Sequence, residues 1–228
     1  MRYLNCLNPI SKRGTDSLSE SYALTEELDR ADGVLVRSKD MKELVLPKRV
    51  LAVARAGAGV NNIPLERYAE EGVVVFNTPG ANANSVKELV LCALVMASRN
   101  VLSAANWLRT LSPEEEIQKA AEQGKKKFVG SEIRGKSLGV IGLGAIGAEV
   151  ANAASSLGMI VYGYDPYLSV NGAWRLSREI RHASSLAELC EKSDFISIHV
   201  PLTEKNPGLI GEKEIHERRC DSSEFLPG

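Results

Sequence analysis

The sequence predicts an α/β protein in which two successive runs of strands and helices build parallel sheets. Three observations carry the prediction. Short apolar runs alternate with polar stretches of helical character, the pattern expected where crossover helices join parallel strands. A long, apolar-rich helical stretch separates the two runs. The second run opens on an apolar strand, a glycine-rich turn and an alanine-rich helix.

The elements follow in order. From Asp32, "DGVLVRS" is a short apolar run closed by polar residues, as expected of a buried strand feeding a loop. "RVLAVARAGAGVNNI" repeats the form, apolar from Val50 to Ala54 and then rich in glycine. "GVVVFNTPG" does so a third time, with Pro79-Gly80 as the stop, and Leu65 to Glu71 before it has helical character. After Pro79, "NANSVKELVLCALVMASRNVLSAANWLRTL" reads as one long helix opening on Asn or Ser, apolar at Val86, Leu89, Val90, Ala93 and Leu94. Apolar on several sides, it is expected to lie buried between domains or against another subunit. "SPEEEIQKAAEQGKKKFVGSEIRGK" then reads as a helix followed by a loop, with Lys125, Lys126 and Lys127 as a solvated surface. The second run is strand "SLGVIGLG", helix Ala145 to Leu157, strand "MIVYGYD", a weak strand near "REIRHA", helix "SLAELCEKS" and strand "DFISIHVP". The domain boundary is expected after Thr78, giving 1–78 and 79–215.

Composition narrows the function classes. The 228 residues suit one or two domains, and 44% hydrophobic with 25% charged allows a sizeable core. Lys plus Arg 28 against Asp plus Glu 29 leaves a net charge of −1, without the basic excess that a nucleic-acid partner calls for. The start of the chain lacks a signal peptide's apolar run, and no stretch approaches the ~20 apolar residues of a membrane span, so a cytoplasmic location is expected. Cys6, Cys92, Cys190 and Cys220 are scattered, with neither a C-x-x-C pair nor zinc-like spacing to a histidine, and are expected to be reduced and mostly packing thiols.

The chemistry sits at Gly142-Leu143-Gly144-Ala145-Ile146-Gly147, a G-x-G-x-x-G between strand and helix. The first glycine permits a tight turn. The second lets backbone approach a pyrophosphate, and the third lets helix pack closely on strand. The helix start then offers free N–H groups to the anion. Asp165 ends the next strand 23 residues after Gly142, close to the ~20-residue spacing of a ribose-binding acid. A carboxylate there accepts hydrogen bonds from ribose hydroxyls and repels a 2′-phosphate, which favours NAD over NADP.

With these residues in place the sequence resembles the D-isomer-specific 2-hydroxyacid dehydrogenases, through "RGKSLGVIGLGAIG", "YDP" and "SIHVPLT" in the second run and "VRS", "ARAGAGVNNI" and "VVVFNTPGANANSVKELV" in the first. The resemblance covers residues 1 to 215. It implies an incomplete flavodoxin-like substrate domain followed by a truncated Rossmann domain, a doubly wound parallel sheet that binds NAD. It also implies a small 2-hydroxy acid substrate and a homo-oligomer, with no nucleic acid, membrane or metal. Arg37 and Ser38 would contact the substrate's anionic end, and arginine suits this because its planar fork pairs bidentately with carboxylate or phosphate. Gly59, Val60 and Asn61, in the Gly57 to Asn61 loop, would offer backbone N–H groups to the substrate carboxylate. Asn82 would lie near the substrate, and Val200 and Pro201 near the cofactor.

Oxidising a 2-hydroxy acid requires a base for the hydroxyl proton and a cation for the carboxylate or carbonyl. In the family these are an Arg, an acid and a His that come after "HVPLTEKNPGLIGEKEI", so no catalytic residue is assigned and the chain is expected to be inactive or to bind NAD only. His199 is expected to pack or hydrogen-bond near the cofactor, while His182 and His216 have no acid in a recognisable motif beside them. The ending "HERRCDSSEFLPG", residues 216–228, departs from the family, whose members continue with a segment like "ALMKDGAILLNFSRG". Codons permitted for the observed ending, read one base later, spell M-K-D-G-A-I-L-L-N-F-S-R. The expectation is a small deletion after the Ile215 codon that shifts the frame, and an open edge on the last strand with poor stability or compensating association. Two other functions stay open: a dinucleotide-responsive interaction protein of corepressor type, and another NAD-dependent oxidoreductase on the same fold.

Overall fold

The computed structural model describes residues 1–111, 117–201 and 208–212. Residues 216–228, on which the frame-shift reading rests, and residues 112–116 of the acidic segment lie outside the described residues. The chain divides into two compact units, Met1–Asn82 and the residues from Ala83 onward, a division slightly beyond the expected boundary at Thr78.

The first unit is a five-stranded parallel sheet of β1 (Arg2–Cys6), β2 (Tyr22–Thr25), β3 (Gly33–Val36), β4 (Ala52–Arg55) and β5 (Val74–Phe76), in the order β2-β1-β3-β4-β5. This is the flavodoxin-like doubly wound order, with its switch point between β1 and β3. The connections hold two short helices, α1 (Lys12–Thr15) and α2 (Leu65–Glu70). β1 and β2 are additions to the elements expected from sequence. One face of the sheet presents Val34, Val36 and Val53 to a core with Ala31, Met41, Ile63 and Tyr68. The fully buried Tyr68 hydroxyl donates to the carbonyls of Leu44 at 3.0 Å and Met41 at 3.3 Å, so its polar end is satisfied. The opposite face is also apolar, along the register rows Leu24, Leu4, Gly33, Ala52, Val74 and Cys6, Leu35, Ala54, Phe76. There Leu24, Val74 and Phe76 are 52%, 53% and 57% exposed, an unusual state for a parallel sheet, which is ordinarily covered on both sides.

The second unit begins with helices α3 (Ala83–Ser98), α4 (Val101–Thr110) and α5 (Ile117–Gly124). Its sheet consists of β6 (Ser137–Ile141), β7 (Ile160–Tyr164), β8 (Arg181–His182) and β9 (Phe195–Ile198), all parallel, in the order β8-β7-β6-β9. Among the described residues β9 stands at the end of that order. The crossovers carry α6 (Ala145–Ser156), α7 (Val170–Ala173) and α8 (Leu186–Glu191). Both faces are clad: Leu138, Val140 and Val161 pack with α6 and with Leu94 of α3, and Ile141 packs with Leu189 and Cys190 of α8.

The single long helix expected over 82–111 is two helices bent by 67°. The break at Arg99 and Asn100 is held from outside the helix: the Ser131 N–H donates to the Ser98 carbonyl at 2.9 Å, and Asn100 Nδ2 donates to the Val129 carbonyl at 3.2 Å. In the single chain Leu94 is buried while Leu89, Leu102 and Leu108 are exposed. Among the described residues no single helix is long and apolar enough to cross a membrane, and no cluster of His, Cys, Asp or Glu could hold a metal ion.

Candidate functional site

The glycine turn lies at the carboxyl end of β6, where the chain passes into α6. Gly142 has φ +85°, a left-handed conformation that favours glycine, and its N–H donates to the Tyr164 carbonyl at 2.9 Å. A methyl group added there would stand 2.6 Å from Val200 Cγ1 and 2.8 Å from the His199 carbonyl oxygen. One added at Gly147 would stand 1.8 Å from the Gly142 carbonyl oxygen, so the third glycine is what lets α6 close onto the turn. Gly144 differs: it is exposed, and a methyl group there would meet nothing within 4 Å. The Ala148 N–H donates to the Gly144 carbonyl at 3.0 Å, so the N–H groups of Ala145, Ile146 and Gly147 precede the first intrahelical bond. No acidic side chain occupies the first turn of α6, and the helix dipole adds positive potential at these N–H groups. The open space over Gly144 and the N–H groups beside it fit a pyrophosphate.

Asp165 follows β7 directly. Its Oδ2 accepts the Leu143 N–H of the glycine turn at 2.9 Å, and its Oδ1 accepts the Tyr167 N–H at 2.9 Å. An ionised carboxylate has about four acceptor positions, so each oxygen keeps one for a ribose hydroxyl. Val200 packs partly buried against the turn, and Pro201 is exposed beside it. The His199 N–H donates to the Ile141 carbonyl at 2.7 Å, and its ring Nε2 lies 2.8 Å from Ser197 Oγ. Burial pushes the His199 imidazole below its ordinary value, because the charged ring loses solvation. Its bonding partners are backbone and a hydroxyl, the packing role expected from sequence, and His182 is exposed on β8.

In the first unit the candidate residues gather at the carboxyl ends of neighbouring strands, the edge where open α/β sheets bind ligands. Arg37 and Ser38 follow β3, and Asn8 follows β1: Asn8 Oδ1 accepts the Arg37 N–H at 3.0 Å, and Asn8 Nδ2 donates to Ser38 Oγ at 3.1 Å. Arg55 ends β4, and its Nε donates to the Arg37 carbonyl at 3.0 Å. The Arg55 guanidinium underlies the loop, since a methyl group added at Gly59 would stand 3.0 Å from Arg55 Nη1. The loop is pinned by the Thr78 N–H on the Gly57 carbonyl at 3.0 Å, by Asn77 Nδ2 on the Ala58 carbonyl at 2.7 Å, and by the Ile63 N–H on the Val60 carbonyl at 3.0 Å. Gly59 and Asn61 are exposed and Val60 is partly so. Asn82 stands exposed at the end of this unit, without a side-chain hydrogen bond among the described residues.

Sequence reasoning missed Asn8, Arg55 and Asn77. Each lies at or just past the carboxyl end of a parallel strand, so counting from the end of each apolar run would have found Arg55 and Asn77. Among the described residues no carboxylate pairs with the guanidinium of Arg37 or Arg55, and the Arg55 guanidinium lies beside the Gly57–Asn61 loop.

Residues 92–222 match the sequence profile of the D-isomer specific 2-hydroxyacid dehydrogenase, NAD binding domain. The D-3-phosphoglycerate dehydrogenase of Methanocaldococcus jannaschii is 38% identical over 195 residues, covering 84% of this chain and 35% of that protein. The enzyme of the same name from Rattus norvegicus is 34% identical over 192 residues, covering 83% of this chain and 34% of that protein. The chain thus spans about a third of the length of the curated relatives it matches. Among solved structures, the NAD+-bound 3-phosphoglycerate dehydrogenase of Entamoeba histolytica superposes with a TM-score of 0.71 at 26% identity, over 95% of this chain and 68% of that one. A glyoxylate reductase from Paecilomyes thermophila shares the fold with a TM-score of 0.75 at 23% identity, over 95% of this chain and 70% of that one. Glycine turn, acid and profile agree: the chain belongs to the D-isomer-specific 2-hydroxyacid dehydrogenase family, and its second unit carries that family's NAD-binding domain.

Proposed function

We propose that the chain is a D-3-phosphoglycerate dehydrogenase sequence, serving the oxidation of 3-phosphoglycerate to 3-phosphohydroxypyruvate. The observation that carries this reading is Arg55 at the end of β4, whose Nε donates to the Arg37 carbonyl at 3.0 Å and so joins two arginines at adjacent strand ends. The substrate has two anionic ends, a carboxylate and a phosphate, and arginine forks hold such groups bidentately. Arg37 and Arg55 bind the anionic ends, and the Gly57–Asn61 loop contributes N–H groups. Bound NAD supplies the hydride acceptor for the oxidation. Gly142, Gly144, Ala145, Ile146 and Gly147 hold its pyrophosphate, Asp165 its ribose hydroxyls, and Val200 and Pro201 line the same turn. The names of the relatives, D-3-phosphoglycerate dehydrogenase, support the substrate assignment.

The test is binding by the 228-residue protein. NADH is expected to bind saturably, read by its fluorescence. 3-Phosphoglycerate is expected to shift the amide resonances of the Gly57–Asn61 loop, and R37M and R55M each abolish the shift. Equal shifts from inorganic sulfate or from lactate would sink the substrate assignment. Exposed Leu89, Leu102 and Leu108 on α3 and α4 support a homo-oligomer, which sedimentation equilibrium tests; a monomer at high concentration would count against it.

A further inference from the structure

We infer that Asp165 is a positioning residue for the glycine turn as well as the acid that selects the cofactor, so that pyrophosphate binding and rejection of a 2′-phosphate form one coupled property. The inference rests on the NAD-binding assignment of the second unit.

Leu143 sits between the first two glycines and is held from two sides. Its side chain is 5% exposed and closes onto Gly163, where an added methyl group would stand 2.9 Å from Leu143 Cδ1. Its N–H is taken by Asp165 Oδ2 at 2.9 Å, while the other carboxylate oxygen takes the Tyr167 N–H at 2.9 Å. Backbone donors on opposite sides therefore fix the plane of the carboxylate before any ligand arrives. The remaining acceptor positions lie open to ribose hydroxyls without side-chain rearrangement.

The chemistry of the two donors makes the arrangement specific to an ionised acid. An amide at this position keeps one acceptor oxygen and turns an NH2 group toward either Leu143 or Tyr167, donor against donor. One of the two N–H groups then loses its partner. If the Leu143 N–H is released, the segment from Gly142 to Gly144 keeps only the Gly142 N–H bond to the Tyr164 carbonyl, and the N–H groups of Ala145, Ile146 and Gly147 converge less closely on one anion. Replacing Asp165 to admit a 2′-phosphate thus removes the repulsion and loosens the pyrophosphate cradle in one step. A single substitution is not expected to produce tight NADPH binding.

The experiment compares ADP with 2′,3′-dideoxyadenosine diphosphate, which keeps the pyrophosphate but has no hydroxyl to offer Asp165, on the wild-type protein, D165N and D165S by calorimetry. The dideoxy ligand is expected to bind the variants about tenfold more weakly than wild type, the size of one lost charge-assisted hydrogen bond. Unchanged affinity for the dideoxy ligand, together with weakened ADP, would overturn the inference and leave Asp165 a ribose ligand only. A wild-type protein that binds neither ADP nor NADH would instead refute cofactor binding. Should the variants fail to fold, hydrogen exchange on the ligand-free wild type decides. Leu143 and Tyr167 amides slower than those of Ala145 and Ile146 support the inference, and equal rates overturn it.

Discussion

Asp194 and Ser137 clasp the starts of two adjacent parallel strands: the Asp194 carboxylate accepts the Ser137 N–H at 2.7 Å and its hydroxyl at 2.8 Å, and Ser137 Oγ accepts the Asp194 N–H at 2.9 Å. The first unit repeats the device, with Asp32 Oδ2 accepting the Tyr3 N–H at 2.8 Å. In both sheets the acid stands one residue before a register pair, Phe195 with Leu138 and Gly33 with Leu4. D194A leaves a partly buried N–H without its acceptor, and the second unit is expected to lose about 1–3 kcal/mol of stability, read as a lowered urea midpoint. Because the clasp lies at the amino end of β6, far along the strand from Gly142, NADH affinity of the folded fraction is expected to stay unchanged.

Asp32 gives the first unit an acid limb. The Tyr3 N–H, and next the Arg49 guanidinium at 3.0 Å, hold the Asp32 carboxyl below its ordinary value, with a weaker pull from Arg2. A folded value below the unfolded one, near 3.9, means that the contribution is fully present above about pH 4 and is lost as pH falls through the folded value. Urea midpoints of the wild type are expected to drop with acidification in that window, and those of D32N to drop less steeply. Parallel acid limbs for the two proteins would remove Asp32 from this role.

Two glycines of one motif are expected to fail in different ways. G147A forces a methyl group against the Gly142 carbonyl and should cost about 1–3 kcal/mol of stability along with NADH binding. G144A meets open space and should leave the melting temperature almost unchanged, because φ there is −68°. Its NADH affinity is nevertheless expected to fall at least about tenfold, since the methyl group occupies the approach of the pyrophosphate. A fluorescence titration beside a thermal melt for each variant separates the two.

Arg55 should not tolerate lysine. Its Nε is spent on the Arg37 carbonyl, and only a guanidinium has further N–H groups on the same rigid plane for an anion. R55K is expected to weaken 3-phosphoglycerate binding about tenfold or more, as measured by amide shifts in the Gly57–Asn61 loop, with NADH binding retained by the second unit.

The strands that announce themselves in the sequence are those with uninterrupted apolar cores, such as "GVLV" and "SLGVI". β1, "RYLNC", hides behind Asn5, which is 6% exposed yet polar because its Nδ2 donates to the carbonyls of Thr25 and Glu26. That exchange depends on a neighbouring strand, so local pattern does not reveal it. The break between α3 and α4 is invisible for the same reason, its hydrogen bonds coming from Val129 and Ser131. At the site the glycines and Asp165 were legible because chemistry dictates their types and spacing. Arg55 could be counted to a strand end, but its part in the site could not, since a strand-ending arginine is ordinary until the loop beyond it folds back over its guanidinium.

The uncovered face of the first sheet carries a calorimetric consequence. Unfolding raises heat capacity in proportion to the apolar surface newly hydrated, and Leu24, Val74 and Phe76 already meet water in the folded chain. The first unit should therefore melt with a heat-capacity increment per residue below the usual range of about 12–15 cal/mol/K. Its stability curve is correspondingly flatter, so chilling weakens it less than it would a sheet clad on both sides.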